Sequence, residues 1–242
     1  MQFQLLHFET LDSTNREAAD QARNGAAEGL TVIADEQTAG RGRQGRVWTS
    51  NKGKGAYFST VLRPTFDARH YTLIPLAAAI AVYDALLKVW LITADIKWPN
   101  DILVDEKKIC GILSEMIDTP SGHAIVLGIG INLRDADPEL NATSIDAESQ
   151  FPATRGEVIA AVHEQLAIHY ERLATQPTSI PKEWSRRSSY FIGKEVSVDL
   201  GNGEAYTGTT CGLEESGALR VRLPDGSLKT VHAGDVTRLR KV

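Results

Sequence analysis

Between Gly40 and Arg46 the chain reads Gly-Arg-Gly-Arg-Gln-Gly-Arg, and Trp48 stands two residues further on. Glycine lets backbone approach a ligand closely, while arginine stays charged at any physiological pH and forks onto anionic oxygen. Such a loop suits phosphate or carboxylate. Taken alone, the run reads equally as a solvated loop or a non-specific nucleic-acid contact. Trp48, the segment Lys97-Trp98-Pro99-Asn100-Asp101 and the segment Gly128-Ile129-Gly130-Ile131-Asn132 make the pattern far more specific.

The surrounding composition narrows the chemistry. The 242 residues carry a formal net charge of −5, which argues against a dedicated nucleic-acid binder. Arg41, Arg43, Arg46, Lys52, Lys54 and Arg63 nevertheless crowd a stretch, Gly40 to Phe66, that holds no Asp or Glu. An acidic protein with one basic loop points to a small anion. With 42% hydrophobic and 24% charged residues the composition is that of a globular protein, long enough for one large domain with a small appendage or for two modest domains. Cys110 and Cys211 lie far apart and suggest neither a disulfide framework nor a zinc site. The N-terminus lacks a signal-peptide pattern, and no run of about 18 apolar residues appears, so the expected compartment is the cytoplasm.

The elements that must position these residues follow from periodicity and turn chemistry. Phe3–Phe8 reads as a short strand, and Asp12-Ser13-Thr14-Asn15 precedes a helix, with Thr14 and Glu17 spaced as a capping box and Gly25 placed to end it. Leu30–Ala34 and Tyr57–Leu62 read as strands flanking the glycine–arginine segment, which is too long for a hairpin turn and reads as a flexible flap. Tyr71–Leu91 reads as a buried helix. Strands follow at 96–98, 102–104 and 109–117, the latter two joined by the turn Asp105-Glu106-Lys107-Lys108, and another at 123–133, where Gly128 and Gly130 leave room for something to approach the sheet. Helices are expected at 155–174 and 181–188. Beyond Gly193, alternating segments at 195–200, 205–213, 218–223, 227–233 and 236–239 predict a small β-barrel of about five strands. The domain boundary falls near residue 190.

In order and spacing, the sequence resembles the biotin protein ligase family. The resemblance rests on Asp12-Ser13-Thr14-Asn15, the run from Gln37 to Trp48, Lys97-Trp98-Pro99-Asn100-Asp101, Lys108-Ile109-Cys110-Gly111-Ile112-Leu113 and Gly128-Ile129-Gly130-Ile131-Asn132. It covers residues 5 to 190. It implies an α+β fold: a mixed-sheet catalytic domain packed with helices over 1–190, then a small SH3-like β-barrel over 191–242. The implied reaction has two steps. Biotin and ATP give biotinyl-adenylate and pyrophosphate, then a lysine of an acceptor domain takes the biotin and AMP leaves.

The resemblance also assigns residues. Ser13, Thr14, Asn15, Gln37, Gly40, Arg41, Gly42, Arg43 and Lys108 would serve biotin; Arg46, Trp48, Lys97, Asn100, Asp101 and Asn132 would serve ATP or the adenylate. Lys108, with Arg43, would carry the chemistry, an ammonium between carboxylate and α-phosphate offsetting their repulsion. Lys107 reads as a turn lysine and Trp98 as core. Ser13 and Thr14 read as helix caps, as pocket residues, or as both. Magnesium is expected with the nucleotide, its ligands unassigned and Asp101 a candidate.

The implied partner is the biotin carboxyl carrier domain of a carboxylase, with a homodimer possible and neither nucleic acid nor membrane involved. The catalytic pattern begins almost at Met1, so no helix-turn-helix domain is expected ahead of it. Two rivals stay open from sequence: a lipoate or octanoate protein ligase of similar fold, and a nucleic-acid-binding module using the basic loop and the barrel.

Overall fold

Residues 1–200, 204–232 and 235–238 are described by the computed structural model of the chain. A seven-stranded mixed sheet runs in the order β1-β2-β3-β7-β6-β5-β4, from β1 (Gln4–Leu11), β2 (Leu30–Gln37), β3 (Gly55–Leu62), β4 (Asp95–Lys97), β5 (Asp101–Val104), β6 (Lys107–Thr119) and β7 (Gly122–Asn132). Only β1 and β2 are parallel; every other pair is antiparallel.

The two faces of the sheet take different helices. On one, α1 (Thr14–Arg23) lays Ala18, Ala19 and Ala22 on Val32, Val61, Ala124 and Val126. Small side chains on both sides let this helix sit close to the strands. On the other face lie α2 (Ile74–Trp90) and α4 (Arg155–Thr175), with α3 (Ile145–Glu148) and α5 (Ser179–Ser185) beside them. Ile125, Leu127, Ile129 and Ile131 of β7 point into this larger core. β7 thus alternates strictly, odd residues to the large core and even residues to the α1 face, as period-2 geometry requires.

Ala68–Trp90 has the length and apolar character of a membrane span, although no uninterrupted apolar run is visible in the sequence. Here Leu76, Ile80, Val82 and Leu86 are buried in the large core.

A second, five-stranded antiparallel sheet has the order β11-β10-β9-β8-β12, built from β8 (Ile192–Asp199), β9 (Ala205–Leu213), β10 (Leu219–Arg222), β11 (Leu228–Val231) and β12 (Asp235–Arg238). The expected turn at Gly201-Asn202-Gly203 and the positions Ala233 and Leu239 lie outside the described residues. Val196, Val198, Leu219 and Val221 join the same apolar cluster as α2. Trp98, a core residue as expected, donates from Nε1 to the Gly217 carbonyl at 3.0 Å, and Thr72 Oγ1 donates to the Ser216 carbonyl at 2.8 Å.

Two local expectations change. The N-cap of α1 is Ser13 rather than Thr14, and no side chain caps it; Thr14 is instead the first helical residue, turned toward Gln37. A true capping box closes α4, where Thr154 N–H donates to Glu157 and the Glu157 N–H donates to Thr154 Oγ1. The β5–β6 turn is also tighter than expected. Asp105 (φ 47) and Glu106 (φ 63) form it alone, so Lys107 and Lys108 belong to β6.

Candidate active site

Toward one end of the α1 face the sheet loses its side chains, and the site opens there. Ala124 and Val126 lie under α1, but Gly128 and Gly130 follow, and Gly130 pairs directly with Gly111 on β6. A Cβ on Gly128 would lie 1.9 Å from Asn15 Oδ1; one on Gly130 would lie 2.6 Å from Trp48 Nε1; one on Gly111 would lie 2.8 Å from Trp48 Cζ3. The room left by these glycines is filled by the chain's own Asn15 and Trp48.

The helix start is tied down by a continuous polar chain. Thr14 donates both its backbone N–H (2.8 Å) and its hydroxyl (3.1 Å) to Gln37 Oε1. Ser59 Oγ, on the fully buried β3, lies 2.8 Å from Thr14 Oγ1 and 2.6 Å from Asn15 Oδ1. Gln37 Nε2 donates to Ser50 Oγ at 2.7 Å, and Ser50 Oγ reaches the Trp48 carbonyl at 3.2 Å. Buried polar groups need such satisfaction, and the result is a rigid wall.

The glycine–arginine segment folds back on itself as a narrow ribbon. Trp48 N–H donates to the Gly40 carbonyl at 2.9 Å and Gly42 N–H to the Arg46 carbonyl at 2.7 Å, while Gln44 (φ 54) and Gly45 (φ 73) turn the tip. The backbone at both positions adopts the left-handed region that glycine favours, and Asn or Gly would be the ordinary choice at residue 44. Of the six cations in the basic stretch, Arg41, Arg43 and Arg46 line the cleft. Arg63 instead donates to the Ala22 and Ala26 carbonyls at the C-terminal end of α1, Lys52 pairs with Glu9, and Lys54 pairs with Asp135.

Lys108 reaches the cleft through a break in strand register. Asp101 faces Gly111 and Ile102 faces Cys110, but Leu103 faces Lys108, so Ile109 is an extra residue in β6. Regular alternation would put residues 108 and 111 on opposite faces; the bulge puts them on the same one. A Cβ on Gly111 would lie 3.2 Å from Lys108 Nζ. That ammonium sits 2.7 Å from Asp101 Oδ1 and 5.1 Å from the centre of the Trp48 ring. The backbone of Lys108 is held by Asn141 and Thr143, and Asn132 Nδ2 donates to the carbonyls of Lys108 (3.3 Å) and Thr143 (2.9 Å).

Two cavities meet at this lysine. The first, about 140 Å³, is lined by Ser13, Thr14, Asn15, Gln37, Arg41, Gly42, Arg43, Arg46, Trp48, Asn100, Asp101 and Lys108 among others. The second, about 330 Å³, is lined by Trp48, Lys108 and Asn132 together with Thr49, Lys54, Tyr57, Arg134 and Leu140. Burial pushes the Tyr57 hydroxyl up to about 12, which keeps it a neutral hydrogen-bonding group at physiological pH.

Gly40 and Lys97 line neither cavity. Gly40 forms the neck of the ribbon, where a Cβ would lie 2.2 Å from the Trp48 carbonyl, and Lys97 lies opposite Asp101 in the β4–β5 ladder. Asn100 donates from Nδ2 to the Ile112 carbonyl at 2.7 Å and accepts from Arg43 at 3.4 Å.

Sequence reasoning missed Ser50, Tyr57, Ser59 and Glu115, as well as the 134–142 side of the second cavity. Of these, Ser59, a polar residue inside an apolar strand, carried a signal. Cys110 is buried, its thiol pushed well up by that burial, and takes no part. Among the described residues no group of three or more His, Cys, Asp or Glu is placed to hold a metal ion.

Comparison with known proteins agrees with this geometry. Residues 7–132 match the model of the Biotin/lipoate A/B protein ligase family, and residues 191–238 match the Biotin protein ligase C terminal domain. The chain is 34% identical to the Bifunctional ligase/repressor BirA of Bacillus subtilis, over 96% of this chain and 73% of that protein. It is 36% identical to the Biotin--[acetyl-CoA-carboxylase] ligase of Paracoccus denitrificans, over 89% of this chain and 92% of that one. The structure of the biotin protein ligase of Aquifex aeolicus in complex with biotin and ATP superposes with a TM-score of 0.84 at 28% identity, covering 98% of this chain and 99% of that one. With a family model, close relatives over nearly its whole length and a shared fold all in agreement, the chain belongs to the biotin protein ligase family.

Proposed function

We propose that the first cavity receives biotin, the second receives ATP, and Lys108 stands where the reacting ends of the two substrates meet. The observation that carries this reading is that Lys108, with Trp48, belongs to the walls of both cavities. The ureido head of biotin needs donors and acceptors, and Ser13, Thr14, Asn15 and Gln37 supply both at the closed end. A carboxylate tail would then point toward Lys108.

In the first step a biotin carboxylate oxygen attacks the α-phosphorus, a P–O bond to the carboxyl forms, and pyrophosphate leaves with the electrons of the broken P–O bond. Both reactants are anionic, so their approach is repulsive in a closed site. Lys108 offsets that repulsion and the charge building on phosphorus, with Arg43 supplying further positive charge from the ribbon. Asp101, 2.7 Å away, holds the ammonium in place until the substrates replace it as partners. In the second step the amine of an acceptor lysine attacks the acyl carbon, loses a proton, and expels AMP.

Trp48 is read as the adenine stack, with Asn132, Lys54, Tyr57 and Arg134 around the nucleotide. Arg46, Asn100 and Asp101, assigned to the nucleotide from sequence, line the first cavity instead, where they would meet the nucleotide only at its α-phosphate end beside Lys108. Magnesium fits as an ion carried by the triphosphate, since it binds through phosphates and one or two carboxylates rather than a protein cage. Closure of the ribbon over the product excludes water from the anhydride.

Residues 1–190 would carry the chemistry and residues 191–242, as an SH3-like barrel, would help to receive the carrier domain of a carboxylase. The same reading takes the chain as cytoplasmic, open to self-pairing, and without nucleic acid or membrane as partner; the net charge of −5 supports its lack of nucleic-acid binding. Exchange of labelled pyrophosphate into ATP tests the activity: stimulation by biotin and not by lipoate or octanoate is expected, and stimulation by lipoate alone would assign the chain to the rival chemistry.

A further inference from the structure

Glu115, on β6, spends each carboxylate oxygen on a different element of the cleft. Oε1 accepts from Arg41 at 3.0 Å, at the neck of the ribbon; Oε2 accepts from Asn15 Nδ2 at 2.8 Å, in the first turn of α1. Asn15 cannot turn its amide round, because Oδ1 already lies 2.6 Å from Ser59 Oγ. Gly128 provides the passage, since any side chain there would block the reach of Asn15 across β7 toward β6. An acid beside a cavity read as the seat of a carboxylic acid is electrostatically unfavourable unless its charge is already used. Here Arg41 uses it.

We infer that Glu115 is a positioning residue: it latches the glycine–arginine ribbon, through Arg41, to the helix start that forms the closed end of the first cavity. Arg41 then acts chiefly as the ribbon's half of the latch, leaving Arg43, Arg46 and Lys108 as the cations of the cleft directed at substrate. The latch sets how often the ribbon opens. It therefore governs biotin affinity and the escape of the adenylate, and leaves the bond-making step alone. The assignment of biotin rests on the function proposed above; the latch itself does not.

The test uses the whole chain without ligand. Glu115→Gln keeps the size of the side chain but removes the charge facing Arg41 and sets one amide donor against another at Asn15. Tryptic cleavage after Arg43 and Arg46 should quicken about fivefold, as loss of a partly exposed ion pair predicts. Arg41→Met removes the same pair from the ribbon side and should quicken cleavage by a similar factor, and the double variant should add nothing further.

With ligands, Glu115→Gln should raise the KM for biotin and speed adenylate release while kcat for pyrophosphate exchange stays unchanged. Unchanged cleavage in either single variant, additive effects in the double variant, or a fall in kcat at constant KM would each overturn the inference. If Glu115→Gln does not fold, Arg41→Met decides alone: its cleavage must rise. Faster cleavage in variants of a protein whose ribbon biotin does not protect would uphold the latch and remove the biotin reading.

Discussion

Two glycines in one strand should respond in opposite ways to the same added methyl group. In Gly128→Ala the Cβ would fall 1.9 Å from Asn15 Oδ1, and Asn15 is buried, fixed on α1 and bonded to Ser59 and Glu115. Nothing there can give way cheaply. Displacing Asn15 breaks one buried and one part-buried hydrogen bond and overpacks the α1 interface, together about 3 kcal/mol. For a chain of this size that lowers Tm by about 6–12 °C.

In Gly130→Ala the Cβ would fall 2.6 Å from Trp48, but Trp48 rides on the ribbon, which can lift away. The cost of about 1–3 kcal/mol then appears as a closed ribbon about 5–150-fold less populated. Tm should stay level or rise slightly, since alanine suits a strand better than glycine. Differential scanning calorimetry reads the first effect. Tryptophan fluorescence quenching by acrylamide reads the second, because Trp90, Trp98 and Trp184 are all buried and only Trp48 can change. Equal loss of Tm in both variants with unchanged quenching would refute the reasoning.

Three further outcomes are expected. Arg43→Gly, by removing a ribbon cation and its 3.4 Å contact with Asn100, should release biotinyl-adenylate and label bystander proteins; full retention of the intermediate on a gel-filtration column contradicts this. His163, buried and stacked on Phe3 at 3.8 Å, has its imidazole pulled down to about 4 by burial. Folding therefore keeps it neutral while the unfolded chain takes up a proton near pH 6.5, so stability holds above that pH and falls by about 3 kcal/mol down to pH 4. Urea titrations across that window should show the fall, and His163→Phe should flatten it. Asp84 is drawn up by burial but held low by His169 and Arg187, so its share of stability is present above the ordinary carboxylate range and fades at still lower pH. In Asp84→Asn that acid-side fade should disappear along with part of the stability at pH 7, measured by the same titrations.

Most of the scaffold was legible because alternation and turn residues are local signals. β7 is the clearest instance: an apolar run carrying Gly128 and Gly130 reads as a strand over 123–133, and the strand spans Gly122–Asn132. The cleft was legible in its composition and less so in its wiring. The phase of Lys108 depends on a bulge at Ile109, and nothing in Lys-Lys-Ile-Cys-Gly marks one, because the extra residue is as apolar as its neighbours. Thr14 was misread as a cap since its true partner, Gln37, is distant in sequence and only tertiary packing brings the two together. Gly128 and Gly130 were seen as room for something to approach the sheet, and Asn15 and Trp48 take that room while both glycines also line the first cavity. Glu115 was invisible because one acid in an exposed-looking strand carries no pattern.

Single-turnover formation of biotinyl-adenylate by Lys108→Ala tests the account most directly, provided biotin binding is measured alongside by calorimetry. The two-cavity arrangement predicts biotin affinity within a few-fold of the parent and adenylate formation slowed by about 100-fold or more, the scale for removing one preorganised charge-stabilising group. Adenylate formed at near the parent rate would show that the meeting point of the two cavities is not where the bond is made.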